Sequence, residues 1–233
     1  MGKETYSVFY KVYFNERLKE VNLHGKATYP LYVQITFARK SIFFKSYYFE
    51  LFSKSKYYLS VAGLQGGPTL EQITAKENEL IDFIINKNLN SFSLDLFKDE
   101  YAYYSKDLCD VMEEGFLDYL YTFFQDKGMP TLAPVIREGS RFRLVYDVIQ
   151  DLKRALAKPL YNEMIENSFY YAPPYLPLYE FMLQTKRWPM LSLSVMEWEA
   201  GDTKDKFADF LKKYYPKRNP AEVMLFIEKW LKS

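Results

Sequence analysis

Tyr6–Phe14 is rich in β-branched and aromatic residues, and after the turn-prone "NERLKEVNLHGKATYP" the apolar residues from Leu31 recur every second position; from Leu70 onward they recur every third or fourth. The first pattern predicts strands, whose successive side chains point to opposite faces. The second predicts helices, whose 3.6-residue turn brings positions i, i+3 and i+4 to one side. Strands are expected at Tyr6–Phe14, at Leu31–Phe37 and beyond the basic pair Arg39-Lys40, with "KYYLSVAG" adding a short fourth. In "YPLYVQITFARKSIFFKSYYFELF" (Tyr29–Phe52), Leu31, Val33, Ile35 and Phe37 share one face, and Tyr32, Gln34 and Thr36 share the other. After the turn, Ile42, Phe44 and Tyr48 oppose Phe43, Lys45, Tyr47 and Phe49, which predicts a third strand running through Phe49.

The period-two pattern breaks at "GLQGGPT" (Gly63–Thr69), where glycines and a proline interrupt regular structure. Thr69 then caps a helix with Leu70, Ile73, Leu80, Ile81, Ile84 and Ile85 on its apolar side. "YYSKDLCDVMEEGFLDYLYTFFQDKG" predicts one longer helix, carrying Leu108, Met112, Phe116 and Leu120 and stopping at Lys127-Gly128. Further helices are expected at Arg141–Ala157, Leu160–Asn167, Leu176–Gln184 and Lys204–Tyr215. "NPAEVMLFIEKWLK" adds another, with Asn219 as cap and Pro220 in the first helical position. The proline-containing "YYAPPYLP" (Tyr170–Pro177) reads as a rigid connector. The predicted class is α+β: a small N-terminal antiparallel sheet of three to four strands over residues 1–68, followed by an all-helical region over residues 69–233.

Composition changes this picture little. The 233 residues are 48% hydrophobic and 26% charged, enough apolar surface to fold as one large domain or two small ones, and the 19% aromatic content predicts a ring-rich core. Charge adds more. The first 60 residues hold ten basic and four acidic side chains, whereas residues 61–120 hold four basic and twelve acidic ones. The first block therefore faces either a polyanion or its acidic neighbour. The single cysteine, Cys109, excludes an intramolecular disulfide framework. No signal-like apolar run follows Lys3 and no stretch has the length to span a bilayer, so a cytoplasmic protein without a membrane partner is expected. Tyr6 stands where a myristoylated Gly2 requires Ser or Thr.

Candidate chemistry is sparse. One histidine, His24, and one cysteine make neither a thiolate zinc site nor a catalytic pair; the first reads as a solvated loop side chain and the second as helix packing. "GLQGGPT" lacks the Gly-Lys-Ser/Thr of a phosphate-binding loop. Asp107, Asp110, Glu114 and Asp118 recur at helical spacing and read as a solvated stripe rather than a metal site. "DVIQDLKRA" (Asp147–Ala155) imitates part of a nuclease pattern, but on a helical period. The expectation is no enzyme, no metal and no cofactor.

The order of "FYKVYF" and "YPLYVQITFARKSIFF", strand, variable loop, strand, basic turn and strand, resembles the N-terminal arm-type DNA-binding domain of phage-integrase-like tyrosine recombinases from Bacteroidetes. The resemblance covers about the first 60 residues and implies a three-stranded sheet, followed by a helix, that contacts DNA. The His-x-x-Arg motif of the recombinase chemistry is missing, since His24 is followed by Gly25, Lys26 and Ala27. The implied function is DNA binding without strand cleavage, in the setting of a mobile element. Lys11, Arg39, Lys40 and Lys45 are the expected contacts to duplex phosphates, and Tyr32, Gln34 and Thr36 the contacts from the exposed face. The alternative is a protein-interaction module that uses Tyr-rich surfaces such as "YYAPPYLPLY".

Overall fold

A computed structural model describes residues 7–61 and 64–232 and divides the chain into two compact units, residues 1–106 and 107–233. In the first unit, β1 (Phe9–Phe14), β4 (Leu31–Phe37) and β5 (Lys40–Lys45) form an antiparallel sheet in the order β1-β4-β5. Between β1 and β4 lies the small hairpin of β2 (Val21–Leu23) and β3 (Lys26–Thr28). A second pair, β6 (Leu59–Val61) and β7 (Leu64–Gly66), follows the helix α1 (Tyr47–Ser53). The helices α2 (Leu70–Lys87) and α3 (Leu94–Tyr104) pack against β1 and β4 respectively. The class is α+β, as the two hydrophobic periods require. The Gly2 and Tyr6 reading lies outside the described residues, as does Gly63 at the start of the expected break.

The β4–β5 turn is the tightest a hairpin allows. Phe37 pairs with Lys40, so Ala38 and Arg39 alone make the reversal, with φ of 48° and 63°. This is the type I′ geometry, one of the two reversals whose twist matches the strands, and its positive φ at both positions is accepted most readily by glycine or asparagine. Alanine and arginine each cost about 1–2 kcal/mol there, because Cβ crowds the following carbonyl.

The third strand stops at Lys45, short of the expected extent through Phe49. Ser46 accepts the Phe49 backbone N–H at 3.1 Å and caps α1, so a helix starts where alternation predicted more strand. Helical spacing then buries Tyr48, Phe49, Leu51 and Phe52 together, where a strand would have exposed half of them.

The compact division falls between Lys106 and Asp107 rather than after residue 68, because α2 and α3 complete the core of the sheet. Leu31, Val33 and Ile35 are buried with Ile73, Leu80, Ile81 and Ile84 of α2 and Phe97 and Tyr101 of α3. Phe44 meets the Tyr101 ring edge-on at 4.5 Å, and Phe37 meets Phe92 at 5.0 Å. A buried carboxylate ties the helices to one another. Glu77 of α2 accepts hydrogen bonds from Ser46 Oγ and the Tyr101 hydroxyl, and Tyr101 Oη accepts the Tyr47 backbone N–H at 3.0 Å. Burial pushes the Glu77 carboxyl up to about 7, against the pull of these hydrogen bonds.

The second unit is helical: α4 (Leu108–Asp126), α5 (Leu132–Gly139), α6 (Val145–Ala155), α7 (Lys158–Tyr171), α8 (Tyr175–Thr185), α9 (Val195–Glu199), α10 (Thr203–Tyr214) and α11 (Pro220–Lys232). Its centre is α4, which packs against α5, α7, α8 and α11. At Gly115 a Cβ would lie 2.5 Å from Trp230, so glycine admits α11 to close approach. The long helix expected from residue 103 is broken at Ser105–Asp107. Ser105 closes α3, and Asp107 caps a new helix: its carboxylate accepts the Asp110 N–H at 2.9 Å and the Leu193 N–H at 2.7 Å. The expected connector at Tyr170–Pro177 is mostly helix. Pro177 falls in the first turn of α8, where backbone N–H groups have no intrahelical acceptor to lose. No described helix is long and apolar enough to cross a membrane.

Candidate nucleic-acid interface

Residues directly opposite one another in an antiparallel sheet share a face. The register therefore sets out three rows on the side of the sheet away from Leu31, Val33 and Ile35. The first row is Phe9, Thr36 and Ser41; the second is Lys11, Gln34 and Phe43; the third is Tyr13, Tyr32 and Lys45. Phe9 is 66% exposed and Phe43 57% exposed, values that a core wall would not show. The hairpin is thus a core wall on one side and an open aromatic surface on the other.

The open face brings together Lys11, Tyr32, Gln34, Thr36 and Lys45 from the expected set. Arg39 is exposed at the turn itself, and Lys40, also exposed, pairs with Phe37 at the margin of the covered face. These two cations extend beyond the open face without lying on it. Phe9, Tyr13, Arg17 and Phe43 were missed as surface candidates. Alternation from Lys11 already put Phe9 and Tyr13 on its side, but nothing local says which side stays uncovered.

Charge and polarity divide the face. The Lys11 ammonium sits 5.4 Å from the Tyr13 ring centroid, and Tyr13 and Tyr32 lie 6.4 Å apart with tilted planes. Lys45 pairs with Glu50 at 3.3 Å, both side chains being more than half exposed. Thr36 and Ser41 share a hydrogen bond of 2.8 Å, and the Gln34 amide nitrogen is 3.5 Å from Thr36 Oγ1. On the covered face, Tyr10 donates to Asp82 of α2, and burial together with that carboxylate pushes its phenol up to about 12. Beside the open face, a groove of about 570 Å³ runs between Tyr13, Tyr32, Phe43 and the loop through Glu16 and Arg17.

Other candidate residues are explained by the fold. His24 is half-buried rather than solvated: it stacks on Tyr58 with centroids 5.0 Å apart, and desolvation lowers its pKa while a hydrogen bond to the Phe52 backbone opposes that. Gly67 makes room for it, since a Cβ there would come within 2.8 Å of the imidazole. Cys109 is buried on α4. Asp107 leaves the expected solvated stripe because it is buried as the α4 cap, whereas Glu114 and Asp118 are exposed and Asp118 accepts from Arg137. Among the described residues, no three His, Cys, Asp or Glu side chains gather as a metal site would require. Of the Tyr-rich segment, Tyr175, Leu176, Leu178 and Tyr179 are core, leaving Tyr170 and Tyr171 exposed. No family model, curated protein or solved structure matches this chain.

Proposed function

We propose that the chain is a non-catalytic DNA-binding protein that uses the open face of the β1-β4-β5 sheet and the Ala38-Arg39 turn. One observation carries the reading: the uncovered face combines exposed rings with Lys11 and Lys45, and cations at Arg17, Arg39 and Lys40 surround it. Cations of this kind meet backbone phosphates and set position, while face residues contact bases. The turn supports it further. Arginine at positive φ weakens the hairpin, and a disfavoured residue held at a solvent-facing tip is a common mark of a functional position. The likeness of the first 60 residues to arm-type domains favours the same reading and an association with a mobile element. The alternative of a protein partner on the Tyr-rich segment loses most of its surface to the core of the second unit.

The test is fluorescence anisotropy of labelled DNA against salt concentration. With roughly four phosphate contacts, log K should fall with log[salt] at a slope of about −3.6 for a duplex or about −2.8 for a single strand. Replacing both Arg39 and Lys40 by Ala should reduce the slope by about one to two units, since both side chains are exposed. No binding of any DNA at ~50 mM salt, where nonspecific contacts already register, would end the proposal.

A further inference from the structure

We infer that the open face holds unpaired bases of a single strand by stacking, in preference to the grooves of a duplex; this rests on the nucleic-acid reading above and specifies its ligand. In a duplex the flat faces of the bases are hidden within the stack, so a protein meets phosphates and groove edges, which hydrogen-bonding side chains and cations read. The polar centre of this sheet is poorly furnished for that task. The Thr36 and Ser41 hydroxyls bond to each other at 2.8 Å, and the Gln34 amide lies against Thr36.

What the face offers instead is rings. Phe9 and Phe43 are exposed and have no polar atom to contribute, so a flat apolar surface is what they present to a ligand. Aromatic residues fall in all three rows: Phe9 in the first, Phe43 in the second, and Tyr13 with Tyr32 in the third. Rows two residues apart along a strand are separated by roughly 6.7 Å, a step that one extended nucleotide covers. Phe9 on β1 and Phe43 on β5 also lie two strand spacings of roughly 4.8 Å apart, with β4 between them, so a nucleic-acid strand crossing the sheet diagonally reaches from one ring to the other in about two extended nucleotides; stacking on an aromatic side chain is worth about 1–3 kcal/mol per base whatever the base.

The charges suit the same ligand. Lys11 stands in the middle row, across Gln34 from Phe43, and the groove is lined by Lys11 and Arg17 against a single acidic residue, Glu16. The groove of about 570 Å³ between Tyr13, Tyr32 and Phe43 falls in the size range of small-molecule sites, so a splayed base fits beside the platform. A duplex is too wide to enter the groove.

The experiment uses the full chain and three labelled probes: single-stranded oligo-dT and oligo-rU of about 15 nucleotides, and a duplex of the same length, in ~50 mM salt. Single strands should bind at least about tenfold tighter than the duplex. Phe9→Ala and Phe43→Ala should each weaken single-strand binding about fivefold or more, the lower bound for losing one stacked base, and weaken duplex binding by less. Phe43→Leu, which keeps an apolar side chain and removes the ring, should lose affinity like Phe43→Ala, and far-UV circular dichroism checks that each variant is folded. The ratio of dT to rU affinity assigns the strand to DNA or RNA. Duplex binding equal to or tighter than single-strand binding, unmoved by the Phe variants but lowered by the Arg39/Lys40 double variant, would overturn stacking and keep the DNA-binding reading. Failure of all three probes to bind would overturn both.

Discussion

One face of the three-stranded sheet carries Leu31, Val33 and Ile35, each at most 1% exposed, and the other carries Phe9 and Phe43, each more than half exposed. The two faces alternate along the same strands and both contain aromatic residues. They differ in what lies opposite. The covered face meets α2 and α3: its Tyr10 pairs with Asp82 of α2, and Tyr101 and Glu77 of the covering helices pair with each other. The open face pairs its hydroxyls with one another and leaves its rings to solvent. Ring content alone therefore marks neither core nor binding surface; what decides is whether a helix supplies the second wall.

The largest expected effect tests the covered face. Ile35→Ala deletes buried atoms that close packing holds in place, and should lower the unfolding free energy of the chain by about 3–4 kcal/mol in urea. Phe43→Ala, an equally large truncation one face away, should change it by less than ~0.5 kcal/mol. A loss above ~1.5 kcal/mol at Phe43 would show that the open face is packed against something in solution.

Next comes pH. The folded-state pKa of Glu77 is raised from its ordinary value to about 7, so the folded protein holds a proton that the unfolded chain releases near 4.5. Stability from this group is fully present below about 4.5 and is lost as pH rises to about 7, by roughly 3 kcal/mol at most. Urea titrations at pH 5 and 8 should show this decline, and Glu77→Gln, which keeps an acceptor without the charge, should flatten it. A decline that persists unchanged in Glu77→Gln would place its origin elsewhere.

The turn gives a smaller effect with opposite signs in two measurements. Arg39→Gly removes the Cβ crowding at positive φ and should raise stability by about 1 kcal/mol, while lowering the salt slope of DNA binding by about one unit at most. Gains in both stability and affinity would refute the view that arginine is kept at this strained position for contact. Smallest of all is the Lys45–Glu50 pair. Because both side chains are exposed, a double-mutant cycle should give less than about 0.5 kcal/mol of coupling, and a larger value would mean that this edge of the open face is shielded from water.

Much of the local structure was legible in the residues. The period of two placed β1, β4 and the start of β5, and it sorted their side chains onto two faces, because backbone geometry alone dictates that alternation. Thr69 was legible as the cap of α2 and Asn219 as the cap of α11, since capping involves only neighbours in sequence. The end of β5 was hidden: Ser46 suits both a strand and a cap, and it became a cap because Glu77, 31 residues away, accepts its hydroxyl. Asp107 is a good cap type and its bond to the Asp110 N–H is local, but its second partner, the Leu193 backbone 86 residues away, left no mark in the surrounding sequence.

By itself the sequence determined the two hydrophobic periods, the α+β class, the basic first block and the sharing of one strand face by Tyr32, Gln34 and Thr36. These follow from bond geometry and short-range sterics, which are the same wherever the segment goes. Only the tertiary structure decided that α2 and α3 join the sheet in one unit, that Asp107 and most of the Tyr-rich segment are buried, and that the face bearing Phe9 and Phe43 stays open. Those outcomes depend on which distant apolar surface reaches a face first and excludes water from it, and no property of a strand read alone contains that information.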